Sequence, residues 1–216
     1  MIIKIFWHIL LQNHWYCIVT CQLRILLYSG LYDACDSITI GCLGDKKERD
    51  YLQRFIIDMY PKIKIGYFSE NPLEYEFPTL KLIEEDNSEY TGLYFHNKSV
   101  TKPNDTIISH WKYFLEEKIL NQWGQHYQNI LKGFDVSSVN YLRSPNHFSG
   151  NFWWFNREYI YNCPMVDKLN HNYRWHAEQW ICMGKGNFYY PAFQEPGETV
   201  FKIKQHGNQK MSHIGE

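Results

Sequence analysis

The sequence predicts one α/β domain built on a mostly parallel central sheet with helices on its faces. In the first hundred residues, apolar runs alternate with segments in which apolar residues recur at helical spacing. This rhythm is typical of right-handed βαβ crossovers, which place successive strands parallel in one sheet. A length of 216 residues, 44% of them hydrophobic, suits a single domain with its own core.

The first half of the chain supplies four apolar runs bounded by polar or turn residues. They predict strands at 2–8, 37–43, 62–68 and 92–96. Helical spacing between these runs predicts helices at 13–28, 45–59 and 78–85. Gly30 follows the end of the first helix and Pro61 the end of the second. Asp45 and Glu48 have the spacing of a capping box, which places the start of the second helix.

The second half of the chain is less regular and richer in aromatic residues. A mostly helical segment is predicted at 107–131, with a break at Gly124. Strands are predicted at 136–142 and 147–155, and short helices at 156–163 and 175–183. From Phe201 onward the sequence is polar and contains glycine. We expect this half to add strands and short helices to the same domain.

Charge and composition exclude several classes of protein. Lysine and arginine number 22 against 23 aspartate and glutamate, a net charge of -1, which argues against a nucleic-acid-binding coat. No apolar run approaches the length of about 18 residues that indicates a membrane span. The apolar N-terminus lacks the small-residue cleavage site of a signal peptide. Six dispersed cysteines without Cys-x-x-Cys spacing indicate reduced thiols, so we expect a cytoplasmic protein.

Familiar phosphate-binding and hydrolase motifs are absent from the sequence. Neither G-x-G-x-x-G nor G-x-x-x-x-G-K-[ST] occurs, and neither does G-x-S-x-G or H-E-x-x-H. In open α/β sheets, ligands bind beyond the carboxyl ends of the strands, where the strand order reverses. The segments that follow the predicted strands are therefore the places where a site is expected.

The segment LYFHNKS, at 93–99, ends the fourth predicted strand. His96 and Lys98 are two residues apart, so in an extended chain their side chains point the same way. A lysine is a good point-charge partner for phosphate, which makes this pair a candidate diphosphate site. The alternative is that both are ordinary polar residues at the end of a strand.

The segment HFSGNFWW, at 147–154, has an unusual composition. Gly150 and Asn151 stand between aromatic residues, which indicates close backbone approach and an amide able to pair with hydroxyl groups. Trp153 and Trp154 face opposite sides of a strand, so one could be core and the other a pocket wall. The alternative is an aromatic core strand.

The segment RWHAEQW, at 174–180, places Arg174 and Glu178 four residues apart, on one face of a short predicted helix. This spacing fits an ordinary surface salt bridge. It also fits a site carboxylate that is held in place by the arginine.

Together, LYFHNKSVT, HFSGNFWWFNREYI and RWHAEQW resemble the motifs of a family of small glycosyltransferases with the GT-A fold, found in bacteria and large DNA viruses. The family pattern is a strand ending in H-T-K-G, then H-x-S-G-N-[FW]-W-W, then R-x-x-A-E-x-W. The resemblance covers about residues 2–180, and the H-x-S-G-N-x-W-W block is its specific part. It implies transfer of a hexosyl or deoxyhexosyl group from a nucleotide-sugar, usually a UDP-sugar, to a hydroxyl of a glycan or glycoprotein acceptor.

The same resemblance implies roles for individual residues. Residues 1–100 would form the nucleotide-binding half of a single domain, 1–216, and residues 101–216 the acceptor and sugar-pocket half. Glu178, at the reacting sugar, and Asn151 are the expected catalytic residues. The expected nucleotide-sugar-binding residues are His14, Trp15, His96, Lys98, Gly150, Trp153 and Arg174.

A divalent metal is a further implication of the family. Many GT-A enzymes bind Mn²⁺ or Mg²⁺ through an Asp-x-Asp after the fourth strand, a place taken here by His96-Asn97-Lys98. Imidazole and ammonium groups suit these ions poorly. Either Lys98 replaces the charge of the metal, or the metal is held by few protein ligands, for which His96 and a late histidine, His206 or His213, are the candidates.

Two other classes of function stay open at this point. One is a nucleotide- or carbohydrate-binding domain of the same fold with weak or no catalysis, which the missing Asp-x-Asp favours. The other is a histidine-rich metal protein, but the ten histidines are dispersed along the chain.

Overall fold

The structure is a computed structural model that describes residues 2–102 and 104–191. Nine strands occur in these residues: β1 Ile3–Leu11, β2 Ser37–Gly44, β3 Ile63–Ser69, β4 Thr91–His96, β5 Val136–Ser137, β6 Tyr141–Arg143, β7 Asn146–Phe148, β8 Trp153–Asn156 and β9 Phe188–Tyr189. Seven of them form one sheet in the order β3-β2-β1-β4-β8-β5-β9, while β6 and β7 form a separate hairpin.

The four strands of the first half are parallel. β1 pairs with β2 on one side and β4 on the other, and β3 pairs with the outer side of β2. β8 then enters antiparallel between β4 and β5, and β9 pairs parallel with β5. The predicted α/β fold with a mostly parallel central sheet is confirmed.

Helices cover both faces of this sheet. The described helices are α1 Trp15–Tyr28, α2 Leu31–Ala34, α3 Lys46–Phe55, α4 Phe77–Glu85, α5 Thr106–Leu115, α6 Trp123–Leu131 and α7 Trp175–Gln179. On β1, Trp7 packs in the core cluster that contains Leu23 of α1, whereas Phe6 packs in the cluster that contains Leu80 of α4. A strand that is apolar on both sides is thus buried on both sides, as parallel sheets require.

At the start of α3, only one of the two hydrogen bonds of the predicted capping box is formed, the one accepted by Asp45. The Asp45 carboxylate accepts a hydrogen bond from the Lys47 backbone N–H at 2.6 Å, as an N-cap does. The Glu48 carboxylate instead accepts from the indole N–H of Trp15, also at 2.6 Å. Glu48 therefore ties α3 to α1. The predicted helix at 45–59 ends at Phe55, and a 3₁₀ turn follows it.

The second half departs further from the predicted pattern. The helix predicted at 107–131 is interrupted by a π-helical turn, Glu116–Asn121, so the break precedes Gly124, which lies inside α6. Both long predicted strands are divided by residues in the left-handed region, Asn140 (φ 54°) in one and Gly150 (φ 91°) and Asn151 (φ 56°) in the other. Such residues turn the chain, so an extended strand cannot pass through them.

The predicted short helices at 156–163 and 175–183 are both partly 3₁₀. The first is a 3₁₀ helix over Arg157–Asn162, and the second divides into α7 and a 3₁₀ turn over Trp180–Cys182. No helix among the described residues is long and apolar enough to cross a bilayer. All six cysteines are free thiols.

Candidate functional site

A cavity of about 870 Å³ opens at the carboxyl ends of β1 and β4. The chain moves outward from β1 to β3 and then returns to the other side of β1 to form β4, so the strand order reverses between β1 and β4. Doubly wound sheets bind ligands at this position. The cavity walls come from the ends of these two strands, the loop before α4, the segment 99–102, α5, the hairpin of β6 and β7, the turn before β8, and α7.

The ends of β1 and β4 are joined by the side chain of Asn97. Its Oδ1 accepts from the backbone N–H of Leu10, and its Nδ2 donates to the carbonyl oxygen of Leu10, both at 2.9 Å. The Asn97 backbone N–H donates to the carbonyl oxygen of His8 at 3.1 Å. Asn97 is only 2% exposed, so it belongs to the floor of the cavity and not to its ligand-facing surface.

The side chain of Gln22 in α1 holds the end of β4 in place through hydrogen bonds. Its Oε1 accepts from the indole N–H of Trp7 at 3.2 Å, and its Nε2 donates to the carbonyl oxygen of His96 at 3.0 Å. Nε2 also donates to the buried carboxyl group of Glu116 at 2.9 Å. Burial raises the pKa of Glu116 to about 7, against the effect of nearby Lys112. This network fixes the backbone of His96 through residues that do not line the cavity.

The ring of His96 is neutral, with its proton on Nε2. Nε2 lies 3.0 Å from the carbonyl oxygen of Gly150, which can only accept a hydrogen bond. Nδ1 therefore carries the lone pair, and it faces Oε1 of Glu76 at 3.9 Å. Burial, and next the charge of Lys98, hold the pKa of His96 well below its usual range. His96 thus presents an acceptor atom to the cavity.

His8 of β1 lies beside His96 and is also held neutral. It is almost fully buried, and its Nδ1 lies 2.8 Å from the hydroxyl oxygen of Thr79 in α4. Burial lowers the pKa of His8 to about 3. The cavity floor therefore contributes no imidazolium charge at neutral pH.

Three cationic side chains line the cavity, Lys98 and Lys102 after β4 and Arg174 just before α7. A guanidinium nitrogen of Arg174, Nη2, donates to Oε1 of Glu178 at 3.1 Å, which is the pair that the sequence spacing predicts. The Arg174 side chain is 56% exposed, but that of Glu178 is only 14% exposed. The ion pair therefore holds a carboxylate in the wall of the cavity.

A second carboxyl group, Glu76, belongs to this site and was missed by the sequence analysis. Its side chain lines the cavity and is 15% exposed. Burial first, and then the charge of Glu178, raise the pKa of Glu76 to about 7, although its own backbone N–H, Arg174 and Lys98 act in the opposite direction. The only sequence signal is its place between the third strand and the next helix, since no motif marks it.

The residue before Glu76 has a strained backbone. Tyr75 has φ 50° and ψ -141°, a region that residues with a side chain rarely adopt. It follows the 3₁₀ turn Pro72–Glu74 and directs the chain into α4, which begins after Glu76. Residues held in such conformations cluster at functional sites.

Tyr94 of β4 completes the environment of the two carboxyl groups. Its hydroxyl is buried and has no hydrogen-bond partner among the described residues. Burial, followed by the charges of Glu76 and Glu178, raises the pKa of Tyr94 well above its usual range. A neutral phenol therefore lies near both carboxyl groups.

Five of the predicted site residues line the cavity: His96, Lys98, Gly150, Arg174 and Glu178. The predicted close backbone approach at Gly150 is present, but its partner is protein. A Cβ atom at this position would lie 2.3 Å from Cδ1 of Leu115 and 2.9 Å from Nε1 of Trp111. Gly150 is thus required by packing, while its carbonyl group orients His96.

Asn151 and Trp153 are not among the residues that line the cavity, contrary to the expected catalytic role of Asn151 and the expected nucleotide-sugar-binding role of Trp153. Asn151 is 1% exposed, and its Oδ1 accepts from the indole N–H of Trp153 at 2.8 Å. Trp153 is fully buried and stacks on Tyr94 with ring centroids 4.7 Å apart. Trp154 is also buried, on the opposite face of the sheet. Both tryptophans are therefore core residues.

His14 and Trp15 are likewise absent from the cavity wall. Trp15 is buried and bound to Glu48, which removes its ring from ligand contact. His14 precedes α1 at the N-cap position, where its side chain makes no capping hydrogen bond. The sequence placed both residues after the first strand correctly, but β1 extends to Leu11 and the chain enters α1 directly.

The residues at the end of β4 do not fit a divalent metal. Oδ1 of Asn97 is bound to the Leu10 N–H and Lys98 is a cation, so the lone pair on Nδ1 of His96 is the one donor that this strand end offers to a metal ion, and Mg²⁺ and Mn²⁺ prefer oxygen ligands. Across 2–102 and 104–191, no group of three or more His, Cys, Asp or Glu side chains is arranged to hold a metal ion. The suggested ligands His206 and His213 lie outside the described residues.

Comparisons with known proteins add little to this geometry. No family model matches the sequence, and no curated protein matches it. Among solved structures, the chain is similar to a 4-diphosphocytidyl-2C-methyl-D-erythritol synthase from Anaerococcus prevotii, with 11% identity and a TM-score of 0.48. The match covers 96% of this chain and 98% of that one. Identity this low does not extend to the chemistry of a site.

Proposed function

We propose that the chain is a glycosyltransferase that moves a hexosyl or deoxyhexosyl group from a nucleotide-sugar to a hydroxyl of a glycan or glycoprotein. The observation that carries this proposal is the content of one cavity. Three cations, Lys98, Lys102 and Arg174, line it together with two carboxyl groups, Glu76 and Glu178, at the carboxyl ends of β1 and β4. A transfer from a diphosphate donor needs positive charge for the leaving group and a carboxylate near the sugar.

The cations suit the diphosphate of the donor. Lys98 follows the strand end at which doubly wound folds bind nucleotides, and Arg174 can offer two parallel N–H donors to a phosphate. Because the donor set at this position does not suit a divalent metal, the proposed reaction relies on these side chains for charge. A UDP-sugar is the donor class that the motif resemblance favours.

The mouth of the cavity suits a sugar acceptor. Trp175 and Tyr173 line it and are 43% and 46% exposed. The guanidinium of Arg174 lies 5.1 Å from the ring centroid of Trp175. Aromatic side chains of this kind offer a flat apolar face with polar edges, to which the apolar face of a sugar ring can bind. A volume of about 870 Å³ is within the range of small-molecule sites.

The test is a panel of nucleoside diphosphates and nucleotide-sugars. We expect UDP and UDP-sugars to raise the melting temperature, since a ligand at 100 times its Kd adds about 2.7 kcal/mol. We also expect slow release of UDP from one UDP-sugar without acceptor, and faster release when a glycan acceptor is added. A chain that neither binds nor cleaves any member of the panel would refute the proposal.

A second candidate function is a nucleotide- or carbohydrate-binding domain without catalysis. The mismatch between the end of β4 and a divalent metal favours it, because many enzymes of this fold use such a metal. The same panel separates the two candidates. A binder gives a thermal shift with UDP or UDP-sugar but releases no UDP over prolonged incubation, with or without acceptor.

A further inference from the structure

The two carboxyl groups of the cavity have different partners. Glu178 accepts a hydrogen bond from Arg174 at 3.1 Å and is therefore held as an ion pair. Glu76 instead faces the Nδ1 lone pair of His96 at 3.9 Å. Two acceptor atoms that face each other repel unless a proton lies between them. The two carboxyl groups therefore suit different tasks.

From this difference we infer that Glu76, and not Glu178, accepts the proton of the acceptor hydroxyl during sugar transfer, an inference that rests on the proposed function. The acceptor O–H bond breaks and its proton moves to the Glu76 carboxylate. The freed electron pair on oxygen forms the bond to the anomeric carbon. The bond from that carbon to the diphosphate breaks, and its electron pair leaves on the diphosphate.

The environment of Glu76 favours the protonated product of this step. The Nε2 proton of His96 is committed to the carbonyl oxygen of Gly150, so Nδ1 can only accept. Once Glu76 carries a proton, its O–H can donate to Nδ1, and the repulsion becomes a hydrogen bond. Since burial opposes an imidazolium at His96, the proton stays on Glu76.

The charges around Glu76 set its basicity close to neutral pH. Glu178 of α7 raises the pKa of Glu76 in addition to burial, while Arg174 before α7 and Lys98 after β4 lower it, with a result of about 7. From β4, His96 and Tyr94 face it as neutral groups. A general base is most effective when its pKa lies near the working pH.

The backbone around Glu76 holds the carboxyl group in place. The carbonyl oxygen of Glu76 accepts from the N–H groups of Thr79 and Leu80, at 3.0 and 3.1 Å, which anchors the residue to the first turn of α4. On its other side, Glu76 is preceded by the strained Tyr75, which has φ 50° and ψ -141°. The folded protein therefore maintains a costly local conformation that brings Glu76 to the cavity wall.

A first experiment needs no substrate. In protein labelled with ¹³C at the glutamate carboxyl carbons, we expect one signal with a midpoint near pH 7 that is absent from Glu76→Gln. Since Glu116 has a similarly raised pKa, Glu116→Gln assigns the other such signal. In Glu178→Gln, the midpoint of Glu76 should fall. A Glu76 midpoint near the ordinary value of 4.5 would overturn the inference, whether or not the chain transfers a sugar.

A second experiment uses the reaction. We expect Glu76→Gln to lower kcat by about 10²–10⁴-fold with little change in the donor KM, and to remove the acidic limb of the pH profile. Glutamine keeps the shape and can donate to Nδ1, so the variant should fold. Glu85→Gln, an exposed change at the last residue of α4, should keep wild-type activity and pH profile. Full turnover by Glu76→Gln would overturn the inference, whereas absence of transfer by the wild-type chain would overturn the proposed function itself.

Discussion

The Nε2 atom of His96 lies 3.0 Å from the carbonyl oxygen of Gly150. This contact joins the end of β4 to the turn before β8, and it fixes which nitrogen of the ring carries the proton. Two of the three sequence motifs therefore meet in the structure, but through a backbone carbonyl and not through the Asn151 amide. The orientation of His96 depends on the conformation of Gly150.

Replacement of Gly150 by alanine should destabilise the protein by about 1–3 kcal/mol. The new Cβ would lie 2.3 Å from Leu115, and φ at this position is 91°, which alanine adopts poorly. Gly124→Ala is the matched control, because nothing lies within 4 Å of its Cβ position and it is inside α6. We expect that variant to gain about 0.5–1 kcal/mol. Equal stabilities in urea denaturation would contradict this account of Gly150.

Removal of the Lys98 side chain should weaken binding of UDP or a UDP-sugar by about 10- to 100-fold. A charge-assisted contact to phosphate contributes roughly 1.5–3 kcal/mol. Titration calorimetry of Lys98→Ala measures the loss. Lys132→Ala, on the exposed surface after α6, should bind like the wild type.

The same variant tests whether a metal supplies the charge. We expect turnover by the wild-type chain to persist in EDTA, since the residues at the end of β4 do not suit a divalent ion. Unchanged activity in Lys98→Ala would refute direct charge compensation by this lysine. Loss of wild-type activity in EDTA, with recovery on addition of manganese, would do so as well.

Truncation of Trp175 to alanine should raise the KM for a glycan acceptor roughly fivefold, with little effect on the donor KM. The exposed ring at the cavity mouth offers a contact worth about 1 kcal/mol to an apolar sugar face. Tyr28→Ala is the control. It removes an exposed aromatic ring at the end of α1 that does not line the cavity. A Trp175 variant with unchanged acceptor kinetics would place the acceptor elsewhere.

His126 should make stability fall as the pH falls. It is buried, its Nδ1 lies 2.8 Å from the Ser137 hydroxyl oxygen, and Nε2 lies 3.1 Å from the carbonyl oxygen of Lys118. Burial lowers its pKa from 6.5 to about 4. Between pH 6.5 and about pH 4, His126 is protonated in the unfolded chain but neutral in the folded chain. Its contribution to the free energy of unfolding is therefore fully present above pH 6.5 and is lost progressively toward pH 4.

A glutamine at this position can still donate to Lys118 but cannot take up a proton. We expect His126→Gln to be less stable than the wild type by about 1 kcal/mol at neutral pH. The wild-type advantage in free energy of unfolding should disappear near pH 6 and be reversed at about pH 5, because a pKa lowered from 6.5 to about 4 costs the wild type roughly 2 kcal/mol there. His110→Gln, exposed on α5, should show no such change. A gap that stays constant with pH would contradict the assignment of a neutral, buried His126.

The first half of the fold was predictable because local signals and long-range packing agree there. β1, β2 and β4 are buried on both faces, so they read as continuous apolar runs. In the second half, apolar or aromatic residues stand on both sides of Asn140 and of Gly150-Asn151, although the backbone turns at both places. In that half, an apolar composition indicates that a segment is buried but does not indicate that it is extended, because turns packed in the core are as apolar as strands.

The candidate site was predictable where a rule of topology applies. His96 and Lys98 follow a strand at the switch point, and the spacing of Arg174 and Glu178 places them together on one helical turn. Glu76 was not predictable, because its approach to the cavity depends on the tertiary fold around Tyr75. Asn151 and Trp153 were assigned to the site because a motif does not report which side of a turn faces the core.

The side-chain amide of Asn97 takes the place of a backbone peptide group in strand pairing. After His8 and His96, the last paired residues of β1 and β4, its amide plane exchanges two hydrogen bonds with Leu10 as a neighbouring strand would. The two strands are thereby held in register one step beyond their regular ladder. The conformational entropy of the residues at this edge is therefore lost during folding. A ligand that binds here meets a preorganised surface and does not have to order it. Binding at this edge therefore does not incur the entropy cost of ordering a flexible loop.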